Sequence, residues 1–340
     1  MKIAIHMLTP YPPSNPNRDE LGMPKTATVG GDLRQRISSQ ALKRAWRFSD
    51  EFRELEAATS TRTRAVGEKV RDRMVERGCE KGLADKVGKS VSVVFGKADK
   101  SKPLRTSEVV ILGREEWDAA MELADTCTTE TREASDDELD GLQRSTTSID
   151  VAMFGRMRAA KPLFNVDAAV SVAHGLTTNR TSIEADFWTA VDDLNSHEDD
   201  AGAGGMGERE FGSGVYYVYA IVDRDRLVEN LDSNIELASD AICALISAMA
   251  TSTPGGHRSS FAHHSCAAYM GVEKADRVCG NLMLPAFETP VARTEEAIEQ
   301  LRQAQKNLST VYGFAPFTAE LCAHEGTGSI AGIIDIIKAD

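Results

Sequence analysis

The chain has 340 residues, of which 41% are hydrophobic and 27% charged, and its formal net charge at pH 7 is −13. Such a chain buries a sizeable core, and its acidity excludes a protein coated in basic charge for nonspecific nucleic-acid binding. The longest apolar runs are shorter than the roughly 20 residues that a membrane span needs. We therefore expect a cytoplasmic protein with no membrane partner, in which any bound nucleic acid lies on a local basic surface.

The cysteines are spread along the chain without the C-x-x-C spacing of a structural zinc site. They are Cys79, Cys127, Cys243, Cys266, Cys279 and Cys322. Free cysteine is among the most buried residue types, so we expect reduced and mostly buried thiols. The sequence predicts neither a metal site nor a cofactor.

The first predicted element is an apolar strand at residues 2–9, which runs into a proline-rich loop at residues 10–14. A Gly30-Gly31 turn precedes a helix for which Ser38 or Ser39 is a suitable N-cap, because the apolar residues that follow recur at helical spacing. The basic residues of this helix fall on its other faces. The segment is therefore a helix start approached by a basic loop.

From about residue 56 to 180 the pattern is mostly helical, and we interpret it as one inserted subdomain. Within it, residues 90–95 resemble a short strand, and the acidic stretch after Thr128 is typical of a flexible connection. Residues 195–214 are too rich in glycine and acid to pack, so they predict an exposed loop or flexible hairpin before a strand at residues 215–222. Helices at about 230–250 and 292–308 and a strand near 266–272 complete an α+β fold.

Basic residues are dense between Lys25 and Lys102, whereas residues 115–140 and 186–210 are rich in acid. The most informative segment is 30–47, where glycines, hydroxyl, amide and basic side chains accompany a helix N-terminus. These groups suit a phosphodiester backbone. The spacing is not that of a Walker loop, so nucleotide hydrolysis is not predicted. A solvent-exposed basic helix without a ligand is the alternative.

A second segment, residues 254–264, combines glycines with His257, Arg258, His263 and His264. Histidines with a serine and an arginine are compatible with a metal site or with ribonuclease-type acid–base catalysis. No carboxylate or further histidine stands at ligand spacing, which favours a glycine-rich loop that contacts RNA through its backbone, His257 and Arg258. A purely structural loop is the third possibility.

Residues 17–47 resemble the N-terminal signature of the CasC family, the repeated backbone subunit of type I-E CRISPR interference complexes, called Cascade. The matching positions are Asn17-Arg18-Asp19, Lys25, Gly30-Gly31, Arg36-Ile37-Ser38-Ser39-Gln40, Leu42-Lys43-Arg44-Ala45 and Arg47. Further stretches at 150–157, 187–194, 211–217 and 254–262 match in the same order. The resemblance therefore covers nearly the whole chain.

The resemblance implies an α+β fold with an RRM-like (ferredoxin-like) palm, an inserted helical subdomain called the fingers, and a projecting loop or hairpin called the thumb. On this chain the palm would comprise residues 1–55, 181–194 and 215–340, the fingers 56–180 and the thumb 195–214. It also implies a subunit without enzymatic activity that binds the guide RNA and meets target DNA through that guide. Its other partners would be copies of itself in a helical filament and the remaining Cascade subunits.

The resemblance assigns guide contacts by matching position, and the residue chemistry adds candidates. Phosphate or sugar contacts are expected at Arg18, Lys25, Arg36, Ser38, Gln40, Lys43, Arg44 and Arg47, together with His257 and Arg258 from the glycine-rich loop. In the thumb, Met206 and Phe211 are candidates to wedge beside a displaced nucleotide, although Phe211 could instead pack on the palm. Met153 and Met157 are expected in the core, Arg158 and Lys161 near RNA, and Asp192 and Asp193 at the thumb base.

Two other functions are compatible with the sequence. A histidine- or metal-dependent ribonuclease would use His257, His263 and His264. An acidic scaffold that contacts only protein would leave the basic segment as a solvated face.

Overall fold

The computed structural model describes residues 1–55, 60–143, 148–158, 164–190 and 205–339. The chain folds into two compact units. Unit 1 comprises Met1–Phe52, Val170–Asp225 and Ser239–Asp340, and unit 2 comprises Arg53–Ala169 and Arg226–Ala238. Unit 1 is therefore assembled from three separate pieces of chain.

The elements of the described residues fall into strands and helices. The strands are β1 (Lys2–Ser14), β2 (Thr26–Val29), β3 (Asp32–Ile37), β4 (Thr61–Thr63), β5 (Val110–Leu112), β6 (Val170–Val172), β7 (Gly175–Thr177), β8 (Glu184–Ala190), β9 (Gly205–Asp223), β10 (Tyr269–Ala275) and β11 (Ala319–Cys322). The helices are α1 (Ser39–Arg47), α2 (Asp50–Arg53), α3 (Val66–Glu76), α4 (Lys81–Phe95), α5 (Arg114–Thr129), α6 (Asp136–Asp140), α7 (Ile149–Phe154), α8 (Arg224–Asn230), α9 (Ile235–Thr251), α10 (Arg258–Phe261), α11 (Met283–Phe287), α12 (Thr294–Tyr312) and α13 (Ile330–Lys338).

Unit 1 is built on an antiparallel sheet with the strand order β11-β10-β1-β9-β7-β3-β2, and β6 and β8 also pair with β9. Strand β1 lies between β10 and β9, so that Ile5 stands opposite Val272 on one side and Ala220 on the other. Its residues are buried from Ile3 through Leu8, because both faces of the sheet are covered there. The predicted α+β class is confirmed.

The core on one face of this sheet is formed with α11 and α12. Leu8, Tyr217 and Tyr269 from the strands belong to the same buried cluster as Phe287 of α11 and Leu301 of α12. Each such side chain contributes roughly 1.5–3 kcal/mol when it is fully buried. This core fixes β1 and β9, whose ends carry the site described below.

Unit 2 is mainly helical, with a small antiparallel pair of strands, β4 and β5. Helices α3 and α4 approach closely at two glycines, since a Cβ at Gly67 would lie 2.3 Å from the carbonyl oxygen of Gly88. Val70, Val87 and Leu123 belong to the buried cluster that α3, α4 and α5 share.

Three local predictions were wrong. Residues 90–95 end helix α4, in which Val87, Val91 and Phe95 recur every four residues on the buried face. Residues 170–177 form β6 and β7 of the unit 1 sheet, although they lie in the stretch expected to be mostly helical. The acidic stretch after Thr128 contains α6, which Ser135 and Glu138 begin with a capping box.

The other predicted elements lie close to their expected positions. The strand at 215–222 is the buried part of β9, and the helices expected near 230–250 and 292–308 are α9 and α12. Residues 205–214, expected as loop or hairpin, belong to β9; residues 205–211 pair with β8, and Gly212 and Gly214 pair with β1. Residues 195–204 lie outside the described residues, as do Lys161, Asp192 and Asp193. None of the described helices has both the length and the apolar composition that crossing a membrane requires.

Candidate nucleic-acid interface

Helix α1 begins as the sequence predicts, with Ser38 as its N-cap. The Ser38 hydroxyl accepts a hydrogen bond from the Ala41 N–H at 3.3 Å, and Ser38 itself is buried. The first turn has no acidic residue, whereas the last turn carries Arg44 and Arg47. The positive end of the helix dipole is therefore not opposed by a local carboxylate, which favours an anion there.

The loop at residues 15–25 ties this helix start to the rest of unit 1. The Asn17 side-chain oxygen accepts the Ser38 N–H at 2.8 Å, and the Asn17 carbonyl accepts the Lys25 N–H at 2.9 Å. The Asn15 side-chain amide donates to the carbonyl of Glu210 on β9 at 2.9 Å. One loop thus positions α1, Lys25 and the base of the β8–β9 pair.

The turn before α10 packs on the same loop. A Cβ at Gly256 would lie 2.3 Å from the Pro16 carbonyl oxygen, so only glycine allows this approach. His257 follows with a left-handed backbone, at φ 49°. Its Nε2 lies 2.9 Å from Arg18 Nη1, which brings two predicted site residues from distant parts of the sequence into contact.

The predicted guide-contact side chains differ in exposure. Exposed members are Arg18, Gln40, Arg44 and Arg258; Lys25, Arg36, Lys43 and His257 are half-buried. The Arg36 guanidinium lies 3.1 Å from Nδ1 of His174. Arg47 is only 4% exposed and its guanidinium lies 5.6 Å from the centre of the Phe48 ring. Arg47 is therefore packed with α1 and is not part of the exposed basic face, and its expected guide contact stays a prediction.

Burial and the neighbouring basic side chains lower the pKa values of two histidines at this surface. Burial lowers the pKa of His257, and Arg18, Arg209 and His263 lower it further. Burial and the Arg36 and Lys25 charges lower the pKa of His174. Both imidazoles are therefore predominantly neutral at pH 7, and the local positive charge comes from arginine and lysine.

Strands β8 and β9 form a two-stranded ribbon, defined here as Glu184–Ala190 paired with residues 205–211. Every residue of β8 is exposed. Met206 is 66% exposed on the ribbon, whereas Phe211 is half-buried with its ring centre 5.7 Å from that of Phe261. Met206 is thus exposed on the ribbon, Phe211 packs at the ribbon base, and the wedge role expected of these residues stays a prediction.

Sequence reasoning missed the residues that hold this ribbon. The Arg209 guanidinium lies 5.4 Å from the centre of the Trp188 ring and donates to the Ser260 hydroxyl at 3.3 Å. The Trp188 ring covers Gly207 directly across the ribbon, where a Cβ would come within 2.9 Å of the ring. The only signal for these residues was an aromatic pair, Phe187-Trp188, in a stretch otherwise rich in acid.

The histidines of the 254–264 segment do not converge. His263 is fully buried and its Nε2 lies 3.1 Å from the Pro254 carbonyl oxygen, while its neighbour His264 is exposed. His257 is engaged by Arg18. Among the residues that the structure describes, no group of three histidine, cysteine or acidic side chains is arranged to hold a metal ion.

Met153, Met157 and Arg158 are near one another in the sequence but differ in their exposure. Met153 is buried as expected, but Met157 is 86% exposed because it follows the end of α7. Arg158 is buried against Glu116 of the same unit and does not lie on an exposed surface, and the expectation that it reaches RNA stays a prediction.

Comparison with known proteins identifies the family. The model of the CT1975-like protein family matches residues 3–335. The chain belongs to the CT1975-like protein family. A search of curated proteins gave no match.

Solved structures similar to this CT1975-like chain come from RNA-guided complexes. One is a chain of a "CRISPR RNA-guided surveillance complex, pre-nicking", with 29% sequence identity, a TM-score of 0.87 and 100% coverage of both chains. Another, from a "CRISPR RNA-guided surveillance complex", has a TM-score of 0.73 and 24% identity over 100% of both chains, and shows the shared fold. The resemblance to the CasC family is confirmed.

Proposed function

We propose that this CT1975-like chain is a backbone subunit of a Cascade-type CRISPR interference complex, which binds the guide RNA along its phosphate backbone in several copies. The observation that carries the proposal is full-length similarity, at a TM-score of 0.87, to a chain of an RNA-guided surveillance complex. The guide would meet target DNA by base pairing, so the protein needs no sequence readout of its own. The remaining Cascade subunits and further copies of this chain would be its protein partners.

The contacts within unit 1 support a specific RNA-facing surface. We define the basic face as Arg18, Lys25, Arg36, Gln40, Lys43, Arg44, His257 and Arg258 around the N-cap Ser38. Asn17 joins α1 to the loop that carries Arg18 and Lys25, and Gly256 brings His257 against that loop. Phosphate-backbone recognition needs such convergent donors and does not need base-specific geometry.

The finer architecture follows from the same relationship. The unit 1 sheet would be the RRM-like palm, unit 2 the helical fingers, and the ribbon the described part of the thumb. Met206 is then the apolar side chain that would displace a nucleotide, because it is exposed near the described end of the ribbon. The proposal does not include base stacking on exposed aromatic residues of the sheet, as in RRM domains, because Tyr216, Tyr217 and Tyr269 are buried.

A non-enzymatic role fits the placement of the histidines better than the ribonuclease alternative. General acid–base catalysis needs two titratable groups within reach of one reacting atom. Here His263 is buried in the interior while His264 is exposed. The similarity to a surveillance-complex chain favours binding over cleavage.

The direct test is size-exclusion chromatography with light scattering, on the protein alone and with a guide-length RNA of arbitrary sequence. We expect a multi-copy particle with intact RNA that forms at low salt and dissociates at high salt, because phosphate contacts release counterions. Cleavage of the RNA would favour the alternative function, a histidine- or metal-dependent ribonuclease. Absence of any RNA complex, also with the partner subunits present, would overturn the proposal.

A single substitution on the basic face sharpens this test. R44Q removes an exposed guanidinium whose described contact is with the Phe48 ring at 4.7 Å. We expect RNA affinity to fall equally for unrelated sequences, and the salt slope of binding to fall by about one. K306Q, at an exposed lysine of α12, is the matched control and should change neither quantity. A loss that depends on RNA sequence would contradict backbone binding.

A further inference from the structure

Unit 2 contains a buried cluster in which positive charge exceeds negative charge. The Glu116 carboxylate accepts hydrogen bonds through Oε2 from Arg156 Nη1 at 2.8 Å and from Arg158 Nη2 at 2.9 Å. The Gly113 N–H donates to the same oxygen at 3.0 Å. Two guanidiniums thus share one carboxylate in a low-dielectric interior, where an unbalanced charge is costly.

Several polar atoms around this cluster have no hydrogen-bond partner among the described residues. They are Nη1 of Arg158, Oε1 of Glu116 and Oε1 of Gln143. Arg158 is 9% exposed and Gln143 is 8% exposed, so bulk water does not satisfy them. A buried donor or acceptor without a partner costs about 1–3 kcal/mol, so a polar ligand that reached these atoms would gain free energy of that order.

Arg158 and Gln143 line one cavity of about 300 Å³. Its walls include Val94, Phe95, Val110 and Met157, and charged side chains at Lys97 and Glu108 complete the lining. The Arg158 guanidinium lies 5.5 Å from the centre of the Phe95 ring. The volume is that of a small-molecule site and far exceeds the space of a single water.

We propose that this cavity binds a nucleotide, with the phosphate balancing Arg158 and Lys97 and the base against the apolar walls. An inorganic anion alone would leave Val94, Val110 and Met157 uncovered. A simple aliphatic acid would not supply a donor for Gln143 Oε1, whereas a nucleobase carries ring or amino N–H groups. The inference does not depend on the basic face, because every residue of the cavity belongs to unit 2.

The test is calorimetric titration of the purified full chain, without RNA, with uridine 5′-monophosphate, uridine and inorganic phosphate. We expect the monophosphate to bind, uridine to bind at least about tenfold more weakly through loss of the charged contact, and phosphate to compete. R158Q removes a buried side chain and will also lower stability. K97Q and V109W are therefore the variants used in the test, because both residues line the cavity and are exposed, Val109 by 60%, so that neither substitution removes a buried side chain.

K97Q should weaken monophosphate binding about tenfold, and V109W should block it by filling the cavity. K100Q is the control, because Lys100 is an exposed lysine of the same loop that does not line the cavity. Absence of binding, or binding that K97Q and V109W leave unchanged, overturns the proposal.

Two comparisons show whether the nucleotide is free or part of an RNA strand, and whether the cavity binds it independently of the guide RNA. If a four-nucleotide RNA binds more tightly than the monophosphate and K97Q weakens both equally, the cavity holds one nucleotide of an RNA strand. If the four-nucleotide RNA binds no more tightly than the monophosphate, the cavity holds a free nucleotide. R44Q should weaken guide-RNA binding and leave monophosphate binding intact. A result that overturns nucleotide binding in the cavity can therefore be distinguished from one that overturns guide-RNA binding by the basic face.

Discussion

At Gly256, the lack of a Cβ atom lets the turn before α10 pack closely against the loop at residues 15–25. An added methyl group would lie 2.3 Å from the carbonyl oxygen and 2.7 Å from the carbonyl carbon of Pro16. Because both are backbone atoms, no rotamer change relieves the clash. We expect G256A to lower the free energy of unfolding by about 1–3 kcal/mol and to weaken RNA binding by separating His257 from Arg18.

The adjacent glycine is the matched control for that substitution. A Cβ at Gly255 would have no atom within 4 Å. G255A should therefore change the free energy of unfolding, measured by urea titration, by less than about 0.5 kcal/mol. Equal effects of the two substitutions would show that the close contact with Pro16 is not present in solution.

Individual side chains were predictable where their chemistry is local. Ser38 or Ser39 was predicted as the N-cap from residue type and position alone, and Ser38 caps α1. Arg47 was assigned to the guide with its neighbours, yet it is buried, because exposure depends on which elements cover that side of α1. Asn17 bonds to Ser38 across a separation of 21 residues, and nothing local in the sequence marks that pairing.

At the scale of elements, the ribbon depends on few side-chain contacts. Its β8 strand is exposed throughout, so main-chain pairing and the packing of Arg209 with Trp188 and Ser260 hold it. A cation–π contact at an exposed site contributes about 0.5–1 kcal/mol. We expect R209Q to speed amide hydrogen exchange in the ribbon by about two- to fivefold, as that loss of free energy implies.

A second arginine–aromatic pair in unit 1 provides the control for R209Q. The Arg277 guanidinium lies 5.5 Å from the centre of the Phe314 ring and donates to the Tyr312 carbonyl at 3.3 Å, which resembles the Arg209 arrangement. R277Q should leave exchange in the ribbon unchanged. If R209Q leaves it unchanged too, the ribbon is held by its main-chain pairing alone.

The ribbon also shows where element prediction from sequence ends. The strand at 215–222 was predictable because its residues are apolar and buried, whereas residues 205–211 have the glycine and acid content of a loop. Strand β8 is exposed throughout, so it has no alternation of buried and exposed residues to reveal it. The strand prediction for residues 90–95 was wrong for a different reason: a short apolar run fits a strand and a buried helix equally well.

At the scale of the whole molecule, the α+β class followed from the elements, but the assembly of unit 1 from three pieces did not. Lys2 pairs with Asp223 on one side and with Ala275 on the other. Such pairings across most of the chain leave no periodic trace in the residues between them. Full-length structural similarity confirms the resemblance to the family and the α+β class, while the division into palm, fingers and thumb stays a proposal.

The buried histidines of unit 1 make the stability of the folded protein depend on pH. Burial lowers the pKa of His6 and of His263 below the ordinary value of 6.5, and both side chains are fully buried. Below about pH 6.5 the unfolded chain therefore binds protons that the folded chain does not. We expect the free energy of unfolding to fall as the pH decreases from 7.5 to 5.5.

This window isolates the histidines from the strongly shifted carboxylates. Hydrogen bonds from Ser101 and Lys102 hold the pKa of Asp99 at about 2, and Arg132 with Ser135 does the same for Glu138. Their stabilisation is complete above their unfolded values near 4 and is lost only as the pH falls through that value toward 2.

Urea midpoints at pH 7.5, 6.5 and 5.5 measure the effect, and substitution of neighbouring histidines assigns it. H263Q removes one buried imidazole, so it should flatten the pH dependence even though it lowers stability at every pH by breaking the contact with the Pro254 carbonyl. H264Q changes the exposed neighbour and should keep the slope of the unsubstituted protein. A slope that H263Q leaves unchanged would mean that His263 does not resist protonation in the folded state.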